Sequence, residues 1–240
     1  MSDRSAAVRR DLAPEGVLRA AINLGNPVLA TGTPEEPSGV TVDLAREIAS
    51  RLGVEARLRC FDAARKSFEA LHTGVADIGF LAIEPEREAD LAFTAPYALI
   101  EGVYVVPEAT AIAAPDEVDR HGIRVGVKRG SAYDLHLTRN LAAAEVVRGE
   151  EGVDVFADQH LEVGAGIRQP TTTWADEHPG HRILEPAFMQ IRQAVATTRG
   201  RDALTIDFLR DLVEELKASG FVSDALTRSG RIDVTVAPPS

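Results

Sequence analysis

The sequence predicts an α/β protein with largely parallel sheets, arranged as two lobes. Three observations carry this reading. Short apolar runs alternate with amphipathic stretches of helical period, Gly and Pro turns punctuate the junctions, and the strand–helix rhythm that reaches Val106 restarts at Ile123. In such sheets a ligand sits beyond the C-terminal ends of the strands, so the loops there are where chemistry is sought.

The elements follow in order. Leu18–Ile22 is a short apolar run stopped by Asn23-Leu24-Gly25-Asn26-Pro27, a strand entering a loop. Leu44, Ile48 and Leu52 recur at helical spacing, and Gly53 stands at the left-handed stop position. Val54–Phe61 reads as a strand, and Ala63–Thr73 as a helix with Phe68 and Leu71 on one face and Gly74 after it. Ala76–Ala82 is a buried strand, Pro85–Ala89 a helical turn with Pro at its first position, and Gly102–Val106 another strand. In the second series Ile123–Val127 is a strand. Ser131, with Asp134 three residues on, caps a helix running to about Leu141. Ala144–Val147 and Val153–Phe156 are expected as strands, with a helix opening near Asp158. Ile183–Leu184 and Ile191–Thr198 are strands, and the last strong helix is Asp202–Ser219, with Leu204, Phe208, Leu212 and Leu216 as its apolar stripe and Gly220 as its stop.

Composition narrows the function classes. The 240 residues carry 26 Lys plus Arg against 37 Asp plus Glu, a net charge of −11, with 5% aromatics. This argues against a nucleic-acid partner, which selects basic stripes and stacking platforms. At this length about 70% of the unfolded surface is buried, enough for a core without staples. Cys60 is the only cysteine, so no intramolecular disulfide forms; it reads as a small buried thiol on a strand. His160, His178 and His181 fit no metal spacing, and no metal or cofactor is implied. His178-Pro179-Gly180-His181 reads as a surface turn, and Trp174 as a packing residue or a contact between lobes. Residues 1–10 hold no apolar stretch of the length a secretory signal needs, so the chain as written is expected in the cytoplasm.

Five stretches then stand in a recognisable order: Gly39-Val40-Thr41-Val42-Asp43-Leu44-Ala45; Gly74-Val75-Ala76-Asp77-Ile78; Glu84-Pro85-Glu86-Arg87 leading to Ala92-Phe93-Thr94-Ala95-Pro96-Tyr97; Val125-Gly126-Val127-Lys128-Arg129-Gly130-Ser131; and Gly152-Val153-Asp154-Val155-Phe156-Ala157-Asp158. With these, the chain resembles the family 3 extracellular solute-binding proteins, the amino-acid-binding class of periplasmic receptors, from about Leu18 to Gly230. The resemblance implies the type II periplasmic-binding fold: two α/β lobes, each a mostly parallel sheet flanked by helices, joined by two crossing strands. Lobe 1 would hold residues 1–106 plus 194–240, and lobe 2 the inserted residues 107–193. A small amino-acid-like or carboxylate-bearing solute would bind between them with hinge closure, by a monomer that serves an ABC-transporter permease. The family's role would place the protein in the periplasm if a signal was left off.

Residue by residue, the resemblance matches Arg87 to the family's carboxylate-binding arginine, a role that suits a guanidinium fork. By itself Arg87 is an exposed arginine on a short helix. Asp158 matches the acid that pairs with a ligand ammonium, or else simply caps a helix; the nearby Asp154 is structural. Ser131 matches a hydroxyl at a helix start in lobe 2, which plain capping also explains. The family places Ser or Thr on the strand before the arginine, where this chain has Phe80 and Ala82, trading hydroxyls for an aromatic face. Asn23 and Asn26 replace the acidic or aromatic residues more common in the first loop. Lys66 either points into the cleft or is a solvated helix lysine. His160, two residues past Asp158, is a ligand contact or structural. Two other functions stay open: a cytoplasmic lyase like the cyclohexadienyl dehydratases of the same fold, with His160 or Glu84 moving a proton, and a cytoplasmic ligand sensor.

Overall fold

The computed structural model describes residues 3–240. In chain order the elements are α1 (Asp3–Leu12), β1 (Val17–Asn23), β2 (Thr31–Gly32), β3 (Pro37–Ser38), α2 (Val40–Leu52), β4 (Glu55–Phe61), α3 (Ala64–His72), β5 (Ile78–Ala82), α4 (Pro85–Glu88), β6 (Leu91–Pro107), β7 (Arg124–Lys128), α5 (Ala132–Asn140), β8 (Glu145–Gly149), α6 (Gly152–Asp158), β9 (Val163–Ile167), α7 (Arg168–Glu177), β10 (His181–Ile183), β11 (Met189–Thr198), α8 (Ala203–Ala218), α9 (Phe221–Arg228) and β12 (Thr235–Val236). The chain divides into two units. One comprises residues up to Leu99 with Arg192–Ser240, the other Ile100–Ile191. The long strands β6 and β11 each contribute to both.

In the first unit β1 is the central strand. It pairs in parallel with β4 from Val17↔Glu55 to Asn23↔Phe61, and with β5 at Ala20↔Ile78 and Ala21↔Gly79. Three C-terminal ends, Asn23, Phe61 and Ala82, therefore share one edge. Strand β11 runs antiparallel beside β5, with Gln193 opposite Ala82. Helix α2 buries Leu44, Ile48 and Leu52 as their spacing predicts, and Gly53 closes it in the left-handed conformation (φ 63°, ψ 41°), which costs a Cβ-free residue nothing. One face of this sheet packs Ala21, Leu71, Leu81, Phe93 and Ala194 together, with Phe61 and Phe68 against them. Helix α1, absent from the sequence reading, packs on α8 and α2 with Val8 and Leu12 fully buried.

In the second unit β7 lies between β8 and β9, parallel to both, and β9 pairs antiparallel with β6. Val105, Val155, Phe156, Leu161 and Ala175 form its core. Trp174 belongs to this packing: its ring stacks on His178 at 4.1 Å and meets Phe156 edge-on at 5.8 Å.

Four sequence expectations are corrected. Val153–Phe156 lies in helix α6 rather than a strand. The short run of Val and Phe is compatible with either, and packing decides: Gly152, Val155 and Phe156 form one buried helical face. That helix ends at Asp158 where one was expected to open. The third parallel strand is β9, followed at once by α7, and neither was anticipated. On α8 Leu204 is exposed, and the buried face runs through Thr205, Leu209, Leu212, Val213 and Leu216.

Candidate functional site

The strand C-terminal edge of the first unit gathers most of the expected ligand-binding residues. Asn23 ends β1 and opens a tight loop in which its Oδ1 accepts from Gly25 N (3.1 Å), while Asn26 Oδ1 accepts from Val28 N (3.2 Å). Both side chains thus shape the turn, and each keeps its Nδ2 donor. Phe80 and Ala82 lie on β5, both buried, with Phe80 edge-on to Tyr97 at 6.2 Å.

Arg87 follows on the single turn α4, started by Pro85. It is not the exposed arginine that a short helix suggests: only 4% of it is accessible. Its Nη1 donates to the carbonyl of Ala82 at 3.0 Å, which fixes the guanidinium at the end of β5. Burial pushes its pKa down to about 10, against the pull of Glu84 and Glu86, which favour the cation. Glu84, the residue before Pro85, is buried as well. Lys66 stands apart as a half-exposed helix residue, its Nζ donating to Asp62 at 2.7 Å.

In the second unit the C-terminal edge is formed by Lys128, Gly149 and Ile167, the last residues of β7, β8 and β9. Ser131 lies at this edge as the N-cap of α5. Its hydroxyl accepts from Asp134 N (3.0 Å), while the Asp134 carboxylate accepts from Gly130 N (2.8 Å) and from Arg148 (2.9 Å). The capping geometry read from the sequence is present, and it occupies the hydroxyl oxygen as acceptor.

Asp158 and His160 are not at this edge. Helix α6 starts beyond the end of β8 and runs back along the sheet, so Asp158 sits where β9 is about to begin. Seven residues of helix span about 10 Å. Arg124, the first residue of β7, donates from Nη2 to the carbonyl of His160 at 2.7 Å, which ties His160 to the N-terminal edge. Asp158 and His160 are therefore on the opposite edge of the sheet from Ser131, and the pairing of Asp158 with a ligand held at Ser131 is withdrawn. The cause is the misread strand: a strand over Val153–Phe156 would have carried Asp158 to the C-terminal edge.

What stands at the end of β9 instead is Arg168, which the sequence reading passed over. It pairs with Glu101, and with Glu185 through Nη2 at 2.8 Å. These carboxylates hold its cation, raising its pKa, and Arg168 in turn lowers that of Glu185. The available signal was Gly164-Ala165-Gly166-Ile167 followed by a charge, a run too small in side chain to read as a strand. The first unit also carries an open groove of about 530 Å³, lined by Leu91, Phe93, Arg192, Arg199 and Arg210 among others; none of the expected site residues lines it.

The sequence model of the bacterial extracellular solute-binding proteins, family 3, matches residues 18–235. No curated protein matches the chain. Among solved structures, a mutant of ArgBP from T. maritima is 21% identical, with 93% of this chain and 99% of that one aligned at a TM-score of 0.74. An amino acid ABC transporter substrate-binding protein from Streptococcus pneumoniae, bound to L-arginine, is 16% identical, covering 98% and 100% at a TM-score of 0.74. An ancestral amino-acid-binding protein, described as a precursor of cyclohexadienyl dehydratase, is 18% identical, covering 90% and 96% at 0.72. Identities this low speak for the fold, with its two α/β units and their crossing strands.

Proposed function

Because this chain belongs to the bacterial extracellular solute-binding proteins, family 3, we propose that it binds a small carboxylate-bearing solute without covalent chemistry. Arg87 carries the reading. Its guanidinium is buried, anchored on Ala82 at the end of β5, and shares its edge with the Asn23–Asn26 loop and its two amide donors. A cation held out of water beside neutral donors is an anion site, and a guanidinium grips a carboxylate with two parallel hydrogen bonds. Ser131 and the start of α5 contribute from the second unit. Solved relatives that hold L-arginine support a solute of amino-acid size. The protein acts as a monomer, hands its solute to an ABC-transporter permease and works outside the cytoplasm.

Isothermal titration of the full chain against amino and organic acids tests this. Arg87→Lys keeps a cation while removing the planar fork, and is expected to weaken the best ligand by about 10- to 100-fold, the worth of one to two charge-assisted hydrogen bonds. Unchanged affinity would sink the assignment. The lyase reading has lost His160, which lies at the far edge of its sheet, and retains only the buried Glu84. Turnover of prephenate, arogenate or hydroxy amino acids at high protein concentration would restore it.

A further inference from the structure

We propose that the solute is a small organic dianion recognised without an ammonium group, with one anionic end on Arg87 and the other on Arg129. This rests on the binding reading above and narrows its ligand class.

The inference comes from which charged groups at the two C-terminal edges are already engaged. An ammonium needs an acid free to receive it. In the first unit Asp62 is taken by Lys66, and Glu84 has its own partner within the protein. In the second unit Glu151 pairs with Lys128, Glu150 is engaged as well, and Glu101 and Glu185 both clamp Arg168. Asp158, the acid expected to receive an ammonium, is held at the opposite edge by the course of α6. A zwitterion would have to displace an internal cation from one of these acids, exchanging one charge pair for another with no net gain.

Cations and donors are differently placed. Arg129 follows β7 directly, its backbone N–H fixed to Gly149 O at 2.9 Å. Its side chain is exposed and makes no hydrogen bond or ion pair among the described residues. It stands two residues before Ser131, so an anion near the start of α5 is within its reach. Asn23 and Asn26 keep amide donors at the other edge. The groups left for a ligand are thus a buried guanidinium, two amides and a second guanidinium. That set suits two anionic groups joined by a short apolar body, which Phe80 and Ala82 would line.

The test compares each amino acid with its partner lacking the ammonium, by titration calorimetry on the full chain: succinate against L-aspartate, and glutarate against L-glutamate. L-arginine, butyrate as a monoanion, and phosphoglycolate as a phosphate-bearing dianion complete the panel. The expected result is a dianion bound at least 10-fold more tightly than its amino acid. Arg129→Gln should cost the dianion 10-fold or more and leave butyrate within twofold. Phosphoglycolate above both dicarboxylates identifies the second group as a phosphate, and the reverse identifies it as a carboxylate. An amino acid bound more tightly than its partner, with Arg87→Lys still weakening it, overturns the dianion alone. Full affinity for the dianion in Arg129→Gln overturns it too. If no compound binds, or Arg87→Lys changes nothing, the binding reading falls and this inference with it.

Discussion

Arg124 at the start of β7 donates to the carbonyl of His160 at 2.7 Å, and the same guanidinium grips Glu162 through both carboxylate oxygens. These bonds fasten the turn after α6 to the N-terminal edge of the second unit's sheet, and they decide which of its residues can serve a ligand.

Asp158 and His160 are accordingly expected to be bystanders. Asp158→Asn and His160→Ala should each leave the affinity for the best ligand within about twofold, since neither group lies where the strands end. Side-by-side calorimetry with Arg87→Lys checks this. A tenfold loss in Asp158→Asn would restore that residue to the site.

The Arg124–Glu162 pair also predicts a pH dependence. The hydrogen bond from the Arg124 side chain is the chief cause holding the Glu162 carboxyl below its usual value. A carboxylate whose folded pKa is depressed adds stability that is fully present above its unfolded pKa, about 4.3. That stability is lost as pH falls through the lower, folded value. Glu162→Gln should therefore be less stable than the parent near neutral pH, with the gap closing below about pH 4. Urea midpoints at several pH values read it, and a gap that widens in acid would contradict the assignment.

Asp77 is the largest electrostatic commitment of the first unit. Its carboxylate is nearly inaccessible and accepts from Arg19 N (2.9 Å), Nε (2.9 Å) and Nη2 (2.7 Å), and from Arg201 Nη2 (2.9 Å). Removing it leaves two arginines facing a site built for an anion. Asp77→Ala is expected to cost about 3–5 kcal/mol, the scale for breaking a buried pair from one side. Arg19 is partly open to water, which favours the lower end. Chemical denaturation measures it, and a loss under about 1 kcal/mol would mean that water replaces the carboxylate.

Gly152 tests why α6 is where it is. A Cβ there would stand 2.3 Å from the carbonyl oxygen of Ala165 and 3.2 Å from that of Gly126, both backbone atoms of neighbouring strands. The helix would have to lift off the sheet. Gly152→Ala should destabilise by about 3 kcal/mol, at the upper end of overpacking costs. A surface glycine such as Gly200, with open space around it, should tolerate Ala almost silently. Equal melting temperatures for the two variants would refute the close-approach account.

Much of the fold was legible because strong local signals agreed with the packing. Leu44, Ile48 and Leu52 with Gly53 specified α2 and its end, and Ser131 with Asp134 specified the start of α5. The second unit was harder for a physical reason. In β9 small residues are demanded by the helices alongside: a Cβ on Gly164 would meet the Phe156 ring at 3.0 Å, and one on Gly166 would meet Thr171 Oγ1 at 2.3 Å. Close packing therefore removed the bulky side chains by which a strand is recognised, while the apolar residues that imitate a strand sat on α6.

The sequence by itself determined the α/β class, the family and the arginine on α4, because periodicity, stop residues and an ordered set of short motifs are local properties of the chain. Only the tertiary structure decided that Arg87 is buried on Ala82, that Asp158 faces the wrong edge, and that Arg129 alone among the cations beside it is uncommitted. Those depend on which strands lie parallel and in which direction a seven-residue helix returns, and both are fixed by packing between segments distant in sequence.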